Sequence, residues 1–269
     1  MQKKRLDQWL VDRAFFSSRN RAKEQILSGN VLVDGEKETR PAKRVAQTSE
    51  IQLVQAPVRN VGRGALKLRE AFALFPLDVA GKVCCDLGAS TGGFCQVLLE
   101  QGARLVYAVD VGHNQMQPEL RSDPRIVLLE KTNARFLSPE HFPQQPQFLT
   151  GDLSFISLEL VIPAFASFLA PCASGVVLVK PQFELGPGQT DRGVVRNPQS
   201  WILAIERVAG CLERNGFRVH DLGVSPVTGA AGNVEFLLYF SRGRAGGELI
   251  LAQKYDTIIA RALARTKQE

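Results

Sequence analysis

The sequence is poor in the residues that build disulfide frameworks and zinc sites. It contains five cysteines and three histidines among 269 residues. No two cysteines have Cys-x-x-Cys spacing, and their odd number argues against a disulfide framework. The three histidines lie far apart along the chain. These shortages predict a protein without structural disulfides and without a metal site.

Long hydrophobic runs are also lacking. The longest, residues 175–179 and 236–240, are far shorter than the roughly 20 residues that span a bilayer. The first thirteen residues are basic and contain no apolar segment of the secretory type. We therefore expect a cytoplasmic protein that does not enter a membrane.

Positive charge is concentrated at the start of the chain. Residues 1–54 hold eleven lysines and arginines against seven acidic residues, a net +4 out of +6 for the whole chain. A local basic excess is typical of proteins that bind a polyanion. A solvated basic surface would give the same count, so the charge alone leaves both interpretations open.

The first 55 residues predict a small module of two helices and a few strands. Apolar spacing predicts a helix over 5–15, and Ser17 or Ser18 could cap a second helix that ends near Gly29. Strands are expected at 31–33, which enters an Asp-Gly turn, and at 51–54. We predict a first domain over 1–55, a linker over 56–64, and a second domain over 65–269.

The remaining chain alternates between strand-like and helix-like segments. Strands are predicted at 83–86, 105–109, 126–129, 147–151, 175–179, 217–224 and 234–240. Helices are predicted at 66–75, 93–101, 156–169, 198–215 and 249–263. Such alternation indicates an α/β domain with a parallel sheet covered on both faces. Because no helix separates the last two strands, we expect them to form an antiparallel hairpin in that sheet.

A glycine-rich turn follows the first strand of this domain. Residues 83–94 join an apolar strand ending in Asp86 to a helix, through Gly88, Gly92 and Gly93. Glycines allow the backbone to approach a ligand closely, but the spacing is neither Gly-x-Gly-x-x-Gly nor a phosphate loop. An acid here would repel a pyrophosphate and suit an amine, which favours S-adenosylmethionine as the ligand.

The next two strands end in further polar residues. Asp110 lies 24 residues after Asp86, a distance at which an acid can bind a ribose diol. Asn133 follows the third strand and could meet an adenine edge, although most loop asparagines only form turns. A generic Rossmann nucleotide site would look similar and remains an alternative.

Four ionisable residues lie beside apolar segments of the second domain. Asp152 and Lys180 each follow a strand, Glu235 interrupts an apolar run, and Lys67 follows the linker. The carboxyl ends of parallel strands form the ligand crevice of α/β sheets. Each residue alone could be a surface ion-pair partner, whereas two lysines interleaved with two acids could hold a lysine in a shifted protonation state.

These motifs resemble the TlyA-type family, known both as haemolysins and as ribosomal RNA ribose 2′-O-methyltransferases. Residues 1–60 resemble the S4-like RNA-binding fold, and residues 61–245 resemble the FtsJ-type methyltransferase domain. The matching segments are 63–68, 86–94, 110–112, 151–155, 179–183 and 232–235. The resemblance implies a Rossmann-like, S-adenosylmethionine-dependent methyltransferase sheet preceded by a small α+β S4-like RNA-binding domain.

The resemblance also implies site residues. The FtsJ-type Lys-Asp-Lys-Glu tetrad corresponds to Lys67, Asp152, Lys180 and Glu235. In this scheme Lys180 orients a ribose 2′-OH and takes or withdraws its proton, and no metal is required. The cofactor residues that it implies are Asp86, Gly88, Ala89, Ser90, Gly92, Gly93, Phe94, Asp110, Val111, Asn133 and Asp152. Departures from the family pattern at Gly62, Ala65 and 113–116 leave the tetrad intact.

Ribosomal RNA or a ribosomal subunit is the partner that the resemblance implies, and the oligomeric state stays open. Predicted RNA-binding residues are Lys3, Lys4, Arg5, Arg19, Arg21, Lys23 and Arg63. Two alternatives remain at this point. A membrane-lysing haemolysin would need a secretion signal or an inserting segment, and a non-catalytic RNA-binding protein would have lost tetrad or cofactor residues.

Overall fold

A computed structural model describes residues 3–13, 15–16, 19–27, 29–53, 61–186, 189–243 and 251–266. The chain forms two compact units, residues 1–59 and 60–269. The exact domain limits given above remain a prediction. Within the second unit, Val61 N–H already donates to Gln96 Oε1 at 2.7 Å, so the end of the predicted linker lies in that unit.

The first unit packs two helices against short strands. Helices α1 (Leu6–Asp12) and α2 (Arg19–Leu27) contact each other, and the apolar residues Leu6, Leu10, Ala22, Ile26 and Val31 are fully buried between the elements. The helix predicted over 5–15 ends earlier, because the Arg13 backbone leaves helical geometry. The predicted caps Ser17 and Ser18 lie outside the described residues.

Five short strands complete this unit. They are β1 (Lys4–Arg5), β2 (Val31–Val33), β3 (Glu36–Lys37), β4 (Arg44–Val45) and β5 (Ile51–Leu53). The expected Asp34-Gly35 turn joins β2 to β3, and β5 pairs with the other edge of β2. The pairing of β1 with β4 was not predicted, because two-residue strands leave no periodic signal.

The second unit is built on one seven-stranded sheet. Its strands are β6 (Val83–Leu87), β7 (Leu105–Val109), β8 (Ile126–Leu129), β9 (Phe148–Gly151), β10 (Ser174–Val179), β11 (Phe217–Val224) and β12 (Phe236–Arg242). Their order is β11-β12-β10-β9-β6-β7-β8. The strands from β10 to β8 are parallel, and β12 runs antiparallel to both β10 and β11. The predicted parallel sheet with a terminal hairpin is therefore confirmed.

Helices cover both faces of this sheet. They are α3 (Gly64–Leu74), α4 (Gly93–Glu100), α5 (Pro118–Arg121), α6 (Ile162–Phe168), α7 (Pro181–Glu184), α8 (Pro198–Arg214) and α9 (Tyr255–Thr266). Alternate residues of β6 enter opposite cores: Cys85 joins the core of α6 and α8, while Cys84 joins that of α3 and α4. This double burial explains the continuous apolar runs of the central strands.

Two predicted boundaries differ in ways that matter for the site. The helix expected over 156–169 is a single 3₁₀ turn at Leu158–Leu160 followed by α6. The last strand begins at Phe236, so Glu235 precedes β12 and does not interrupt it. Within the described part of the chain, none of the helices has the length and apolar character needed to cross a membrane.

Candidate active site

The four ionisable residues predicted as a tetrad meet at one edge of the sheet. Asp152 and Lys180 directly follow the neighbouring parallel strands β9 and β10, so both reach the same edge. Glu235 directly precedes β12, whose antiparallel register pairs Phe236 with Val179. Glu235 therefore lies beside Lys180, and α3 supplies Lys67.

The tetrad is a closed set of ion pairs. Lys67 Nζ lies 3.0 Å from Asp152 Oδ2 and 2.7 Å from Glu235 Oε2. Lys180 Nζ lies 2.8 Å from Asp152 Oδ1 and 3.9 Å from Glu235 Oε1. A further hydrogen bond, 2.9 Å long, joins Lys180 Nζ to the hydroxyl oxygen of Ser154. Both lysines and Glu235 are buried, so each charge depends on its partners.

Opposite charges hold two members of the tetrad ionised. Burial alone would lower the pKa of Lys67, but the carboxylates of Asp152 and Glu235 outweigh it, so this pKa is raised. Burial would likewise raise the pKa of Asp152, but Lys180 and Lys67 outweigh it, so this pKa is lowered. The pair formed by Lys67 and Asp152 is therefore charged at neutral pH.

A cavity of about 520 Å³ opens onto the tetrad. Phe155 and Phe183 stand on its wall with their ring centroids 5.2 Å apart. Asn233 closes another side, because its carboxamide accepts from Val195 N at 3.0 Å and donates to Gly193 O at 2.9 Å. The cavity thus combines a charged floor with an aromatic wall.

Two further cavities adjoin the first. One, of about 670 Å³, is lined by Asp110, Val111 and Asn133, and another, of about 380 Å³, lies against the glycine-rich turn. All three share Gly88, Ser90 and Asp152 in their walls. They form a continuous cleft along the carboxyl edge of the sheet, where α/β proteins bind ligands.

The glycine-rich turn has a backbone that requires glycine at its first position. Gly88 has φ +84°, and a Cβ atom there would lie 2.7 Å from the backbone oxygen of Asp152. Ala89, Gly93 and Phe94, which are predicted cofactor residues, line the turn's cavity. Gly92 lines none of the three cavities and has φ +95° where the turn enters α4.

Asp110 and Asn133 organise the second cavity. The carboxylate of Asp110 accepts hydrogen bonds from the backbone N–H groups of Ser90 and Gly112, each 2.7 Å long. Asn133 Oδ1 accepts a hydrogen bond from Arg135 N at 3.0 Å. This asparagine therefore also stabilises a local turn, as most loop asparagines do. Val111 is exposed on the rim of this cavity.

Asp86 is a correction to the sequence-based prediction. Its side chain is 0% exposed and lines none of the three cavities. It accepts hydrogen bonds from Thr150 Oγ1 at 2.9 Å and Cys95 Sγ at 3.2 Å, and burial raises its pKa to about 7. The structure therefore disagrees with a direct contact between Asp86 and a cationic ligand.

Several predicted RNA-binding residues already form ion pairs in the first unit. Arg5 donates twice to the buried carboxylate of Asp7, at 3.1 and 2.9 Å, and Arg19 adds a third bond at 3.2 Å. Lys4 pairs with Asp12. Lys3 is exposed and Lys23 half-buried, whereas the side chain of Arg21 lies outside the described residues.

Arg63, the remaining predicted RNA-binding residue, lines the tetrad cavity in the second unit. Sequence reasoning assigned no role to Ser154, Phe155, Gln182 or Phe183. All four lie in the two segments, 151–155 and 179–183, that carry the resemblance. Because these side chains are uncharged, only their position in the two segments could have indicated that they belong to the site.

Comparisons with known proteins agree with this geometry. The model of the FtsJ-like methyltransferase family matches residues 60–242, and that of the S4 domain matches residues 4–51. The 16S/23S rRNA (cytidine-2′-O)-methyltransferase TlyA of Mycobacterium tuberculosis is 45% identical over 87% of this chain and 88% of its own. Hemolysin A of Brachyspira hyodysenteriae is 39% identical over 88% and 99%.

A solved structure supports the same assignment. A hemolysin-like protein from Streptococcus thermophilus superposes with a TM-score of 0.75 at 37% identity, covering 100% of this chain and 98% of that one. The S4 match, the methyltransferase match and these relatives agree over nearly the whole sequence. The chain therefore belongs to the FtsJ-like methyltransferase family, as a TlyA-type member with an S4 domain at its N-terminus.

Proposed function

We propose that this protein transfers a methyl group from S-adenosylmethionine to a ribose 2′-OH of ribosomal RNA. The observation that carries the proposal is the buried Lys67-Asp152-Lys180-Glu235 tetrad at the junction of an open cavity and the glycine-rich turn. The relative from Mycobacterium tuberculosis is named for the same reaction on 16S and 23S rRNA. A non-catalytic RNA-binding protein would have no need to keep two buried lysines paired in this way.

The residues present fit S-adenosylmethionine. When bound, this cofactor supplies an electrophilic methyl group on a sulfonium. Gly88 lines a cavity at the turn that could take the cofactor, and Asp110 places a carboxylate where a ribose diol can donate to it. We assign the cofactor to Gly88, Ala89, Ser90, Gly93, Phe94, Asp110, Val111, Asn133 and Asp152.

The geometry of the tetrad supports a role for each of its residues. Methyl transfer forms a carbon–oxygen bond at the 2′ position, breaks the carbon–sulfur bond to leave S-adenosylhomocysteine, and passes the hydroxyl proton to solvent water. We assign Lys180 to the acceptor oxygen, where a hydrogen bond from Nζ orients it and stabilises its developing negative charge. Asp152 and Ser154 hold that Nζ atom in place, while Lys67 ties Asp152 to Glu235. Lys67, Asp152 and Glu235 then act as positioning residues.

The aromatic wall suits a nucleotide as acceptor. Phe155 is 90% exposed and has φ +63°, a strained backbone for a bulky residue. Unstacked RNA bases are commonly held against aromatic side chains. Phe155 and Phe183 together would support a base while its ribose reaches Lys180, and the S4 domain would hold the surrounding RNA through phosphate contacts.

Mapping of ribose methylation on ribosomal RNA tests this function. Mass spectrometry of RNA from cells with and without the protein should show one or more 2′-O-methyl groups that depend on it. Their absence in both samples, with purified protein also inactive on ribosomal subunits, would contradict the proposal. A ribosomal substrate also agrees with the cytoplasmic location expected from the sequence, which remains a prediction.

A further inference from the structure

The backbone at Phe155 is strained, and its neighbours have to hold that strain. Phe155 has φ +63°, a left-handed conformation that bulky residues rarely adopt, and its ring is 90% exposed on the wall of the tetrad cavity. Such conformations cost free energy and persist only where the surrounding structure fixes them. The residues on both sides of Phe155 therefore decide whether its ring stays on the wall.

The anchors before Phe155 belong to the tetrad. Asp152 N–H donates to the Leu87 carbonyl oxygen at 2.9 Å, and the Asp152 carboxylate pairs with both tetrad lysines. The hydroxyl oxygen of Ser154 accepts from Lys180 Nζ at 2.9 Å. These contacts hold the chain up to residue 154 against the edge of the sheet.

The anchor after Phe155 is the side chain of Glu184. Its Oε2 atom accepts from Ser157 Oγ at 2.6 Å, and its Oε1 atom accepts from Leu158 N at 3.0 Å. Ser157 Oγ in turn accepts from Glu159 N at 3.1 Å and so caps the 3₁₀ turn that follows. Both carboxylate oxygens of Glu184 thus hold the end of the loop that carries Phe155.

Glu184 is itself fixed to the turn that carries Lys180 and Phe183. It ends α7, which begins directly after Lys180, and Arg207 of α8 donates to its backbone carbonyl oxygen at 2.9 Å. Its side chain is buried, and burial raises the pKa of its carboxyl group even though its two hydrogen bonds act in the opposite direction. Keeping this carboxyl group buried therefore costs free energy. Glu184 links the segment of Phe155 to the segment of Lys180 and Phe183.

We propose that Glu184 is a positioning residue for methyl transfer, which acts by holding Phe155 in its strained conformation beside Phe183. This inference rests on the proposed function and extends it to a residue that lines none of the three cavities. Without this anchor the loop can relax to an ordinary backbone, which withdraws the aromatic wall from the acceptor base. The role requires two hydrogen bonds and no negative charge.

Two substitutions separate the hydrogen bonds of Glu184 from its charge. Glu184→Met keeps the length and removes both bonds, so the single-turnover rate on ribosomal subunits, at saturating cofactor, should fall by about tenfold to a hundredfold, as for a displacement of about 1 Å in an active site. Glu184→Gln can accept from Leu158 N and donate to Ser157 Oγ. Because it keeps both bonds, its rate should stay within about threefold of wild type.

Binding and stability measurements separate positioning from a loss of fold. Cofactor affinity, measured by calorimetric titration, should stay within a few-fold of wild type in both variants, so the loss appears in the rate and not in cofactor binding. Phe142→Leu is the matched control, because Phe142 packs against Phe168 in the core and lines none of the three cavities. It should lower the unfolding temperature and leave the rate near that of wild type.

Should Glu184→Met fail to fold, Ser157→Ala takes its place. This substitution removes the shorter of the two bonds from the opposite side of the contact. It should slow the reaction by about fivefold, the value of one hydrogen bond.

A double-mutant cycle tests whether Glu184 acts through Phe155. Phe155→Ala should slow methyl transfer, because it removes the exposed ring of the wall. Adding Glu184→Met to Phe155→Ala should then slow the reaction further by less than about twofold, since residues that act as a unit have non-additive effects.

Three results would overturn the inference. The first is a near-normal rate in Glu184→Met, or in Ser157→Ala where that variant takes its place. The second is a loss in Glu184→Gln as large as in Glu184→Met, which would show that the charge matters. The third is a double variant in which the two single losses multiply, which would mean that Glu184 acts elsewhere. Failure of the proposed function looks different, because the wild-type protein would then methylate no RNA.

Discussion

At the scale of single residues, the charged partners of a buried group determine whether it carries a charge. Lys67 and Asp152 each face opposite charges, which raise the pKa of the lysine and lower that of the acid. Asp86 is buried in the same sheet, but among the residues that the structure describes it accepts from a hydroxyl and a thiol and from no cation. Burial therefore dominates, and the pKa of Asp86 is raised to about 7.

Lys180→Ala should abolish methyl transfer while leaving cofactor affinity within a few-fold of wild type. Orientation and charge stabilisation by one hydrogen-bond donor contribute about 10²–10³-fold to the rates of enzymes, so a loss of at least that size is expected. Lys180→Arg should fail as well, because a planar guanidinium differs in shape from the lysine amino group held between Asp152 and Ser154. The measurements are labelled methyl incorporation into ribosomal RNA in single turnover and calorimetric cofactor titration.

Lys82→Ala is the matched control, since Lys82 pairs with Asp78 at the surface and lines none of the three cavities. A near-normal rate for Lys180→Ala would show that Lys180 is only a structural ion-pair partner.

Asp86→Asn should change how stability depends on pH. The folded-state pKa of about 7 exceeds that of an unfolded aspartate, about 3.9, so the folded protein holds this proton more tightly. Stability from this group is complete below about pH 4 and is lost as the pH rises to about 7. Asparagine does not ionise, so the variant should gain on the order of 1–4 kcal/mol over wild type between pH 4 and pH 8.

Urea unfolding at several pH values measures this difference in the free energy of unfolding. Because other acids titrate equally in both proteins, only the difference between variant and wild type reports on Asp86. A difference that stays constant with pH would mean that Asp86 is ionised in the folded state despite its burial.

At the scale of elements, the turn between β6 and α4 connects the cofactor cavity to the tetrad. Gly88 lies against the backbone oxygen of Asp152, and Ser90 N–H bonds Asp110. One short segment thereby touches both the residue that holds Lys180 and the carboxylate assigned to the cofactor ribose. Any displacement of this turn should affect cofactor binding and chemistry together.

Gly88→Ala should weaken binding of S-adenosylmethionine by about tenfold or more. The added methyl group would lie 2.7 Å from Asp152 O, so either the turn or Asp152 must move. Positive φ alone costs alanine about 1–2 kcal/mol, and that strain needs its own control. Gly216→Ala supplies it, because Gly216 has φ +83° and no atom within 4 Å of the new Cβ.

Calorimetric titration and thermal unfolding of both variants separate strain from contact. Both variants should lose stability through the strain of positive φ, Gly88→Ala more because of its contact with Asp152 O, and only Gly88→Ala should lose cofactor affinity. Equal affinities in the two variants would remove the turn from the cofactor site.

At the scale of the whole molecule, the two units use their charges differently. In the first unit, buried acids anchor basic side chains: Asp7 holds Arg5 and Arg19, and Glu38 holds Arg40 and Lys43. These pairs hold the arginine side chains in fixed positions and reduce their share in binding phosphates. In the second unit, Lys67, Asp152, Lys180 and Glu235 pair with one another at the edge of the sheet, where we propose that they serve the chemistry.

The double substitution Lys3→Ala with Lys23→Ala, in the full chain, should weaken RNA binding and flatten its salt dependence. No ion pair involving either lysine appears among the described residues, so both can bind phosphates. Each lost phosphate contact should reduce the slope of log K against log salt by roughly 0.7–0.9. Binding to ribosomal RNA is measured at several salt concentrations.

Arg5→Ala provides the comparison, because its guanidinium is engaged by Asp7. It should lower the stability of the first unit and change the salt slope less than the lysine pair does. An unchanged slope in the double variant would show that these lysines form a solvated surface and do not bind RNA.

Local signals in the sequence were sufficient for the order of the two modules and for the parallel sheet with its terminal hairpin, whereas the tetrad was assigned through the family resemblance. The spacing of apolar residues distinguishes strands from helices, because the side chains that face the core recur at a different interval in each. Asp152 and Lys180 were recognisable as candidates because each follows an apolar run, and strand ends share one edge in any parallel sheet. None of these inferences needed knowledge of which side chains touch.

Only the tertiary structure decided where individual side chains point and what they meet. Asp86 faces inward to Thr150 and Cys95, Arg5 and Arg19 bind Asp7, and Glu184 binds Ser157. Each outcome depends on contacts between residues distant in the chain, such as the 64 positions that separate Asp86 from Thr150. The spacing of apolar residues does not reveal such contacts. It shows which residues of one segment are buried, but not which distant residue each of them contacts.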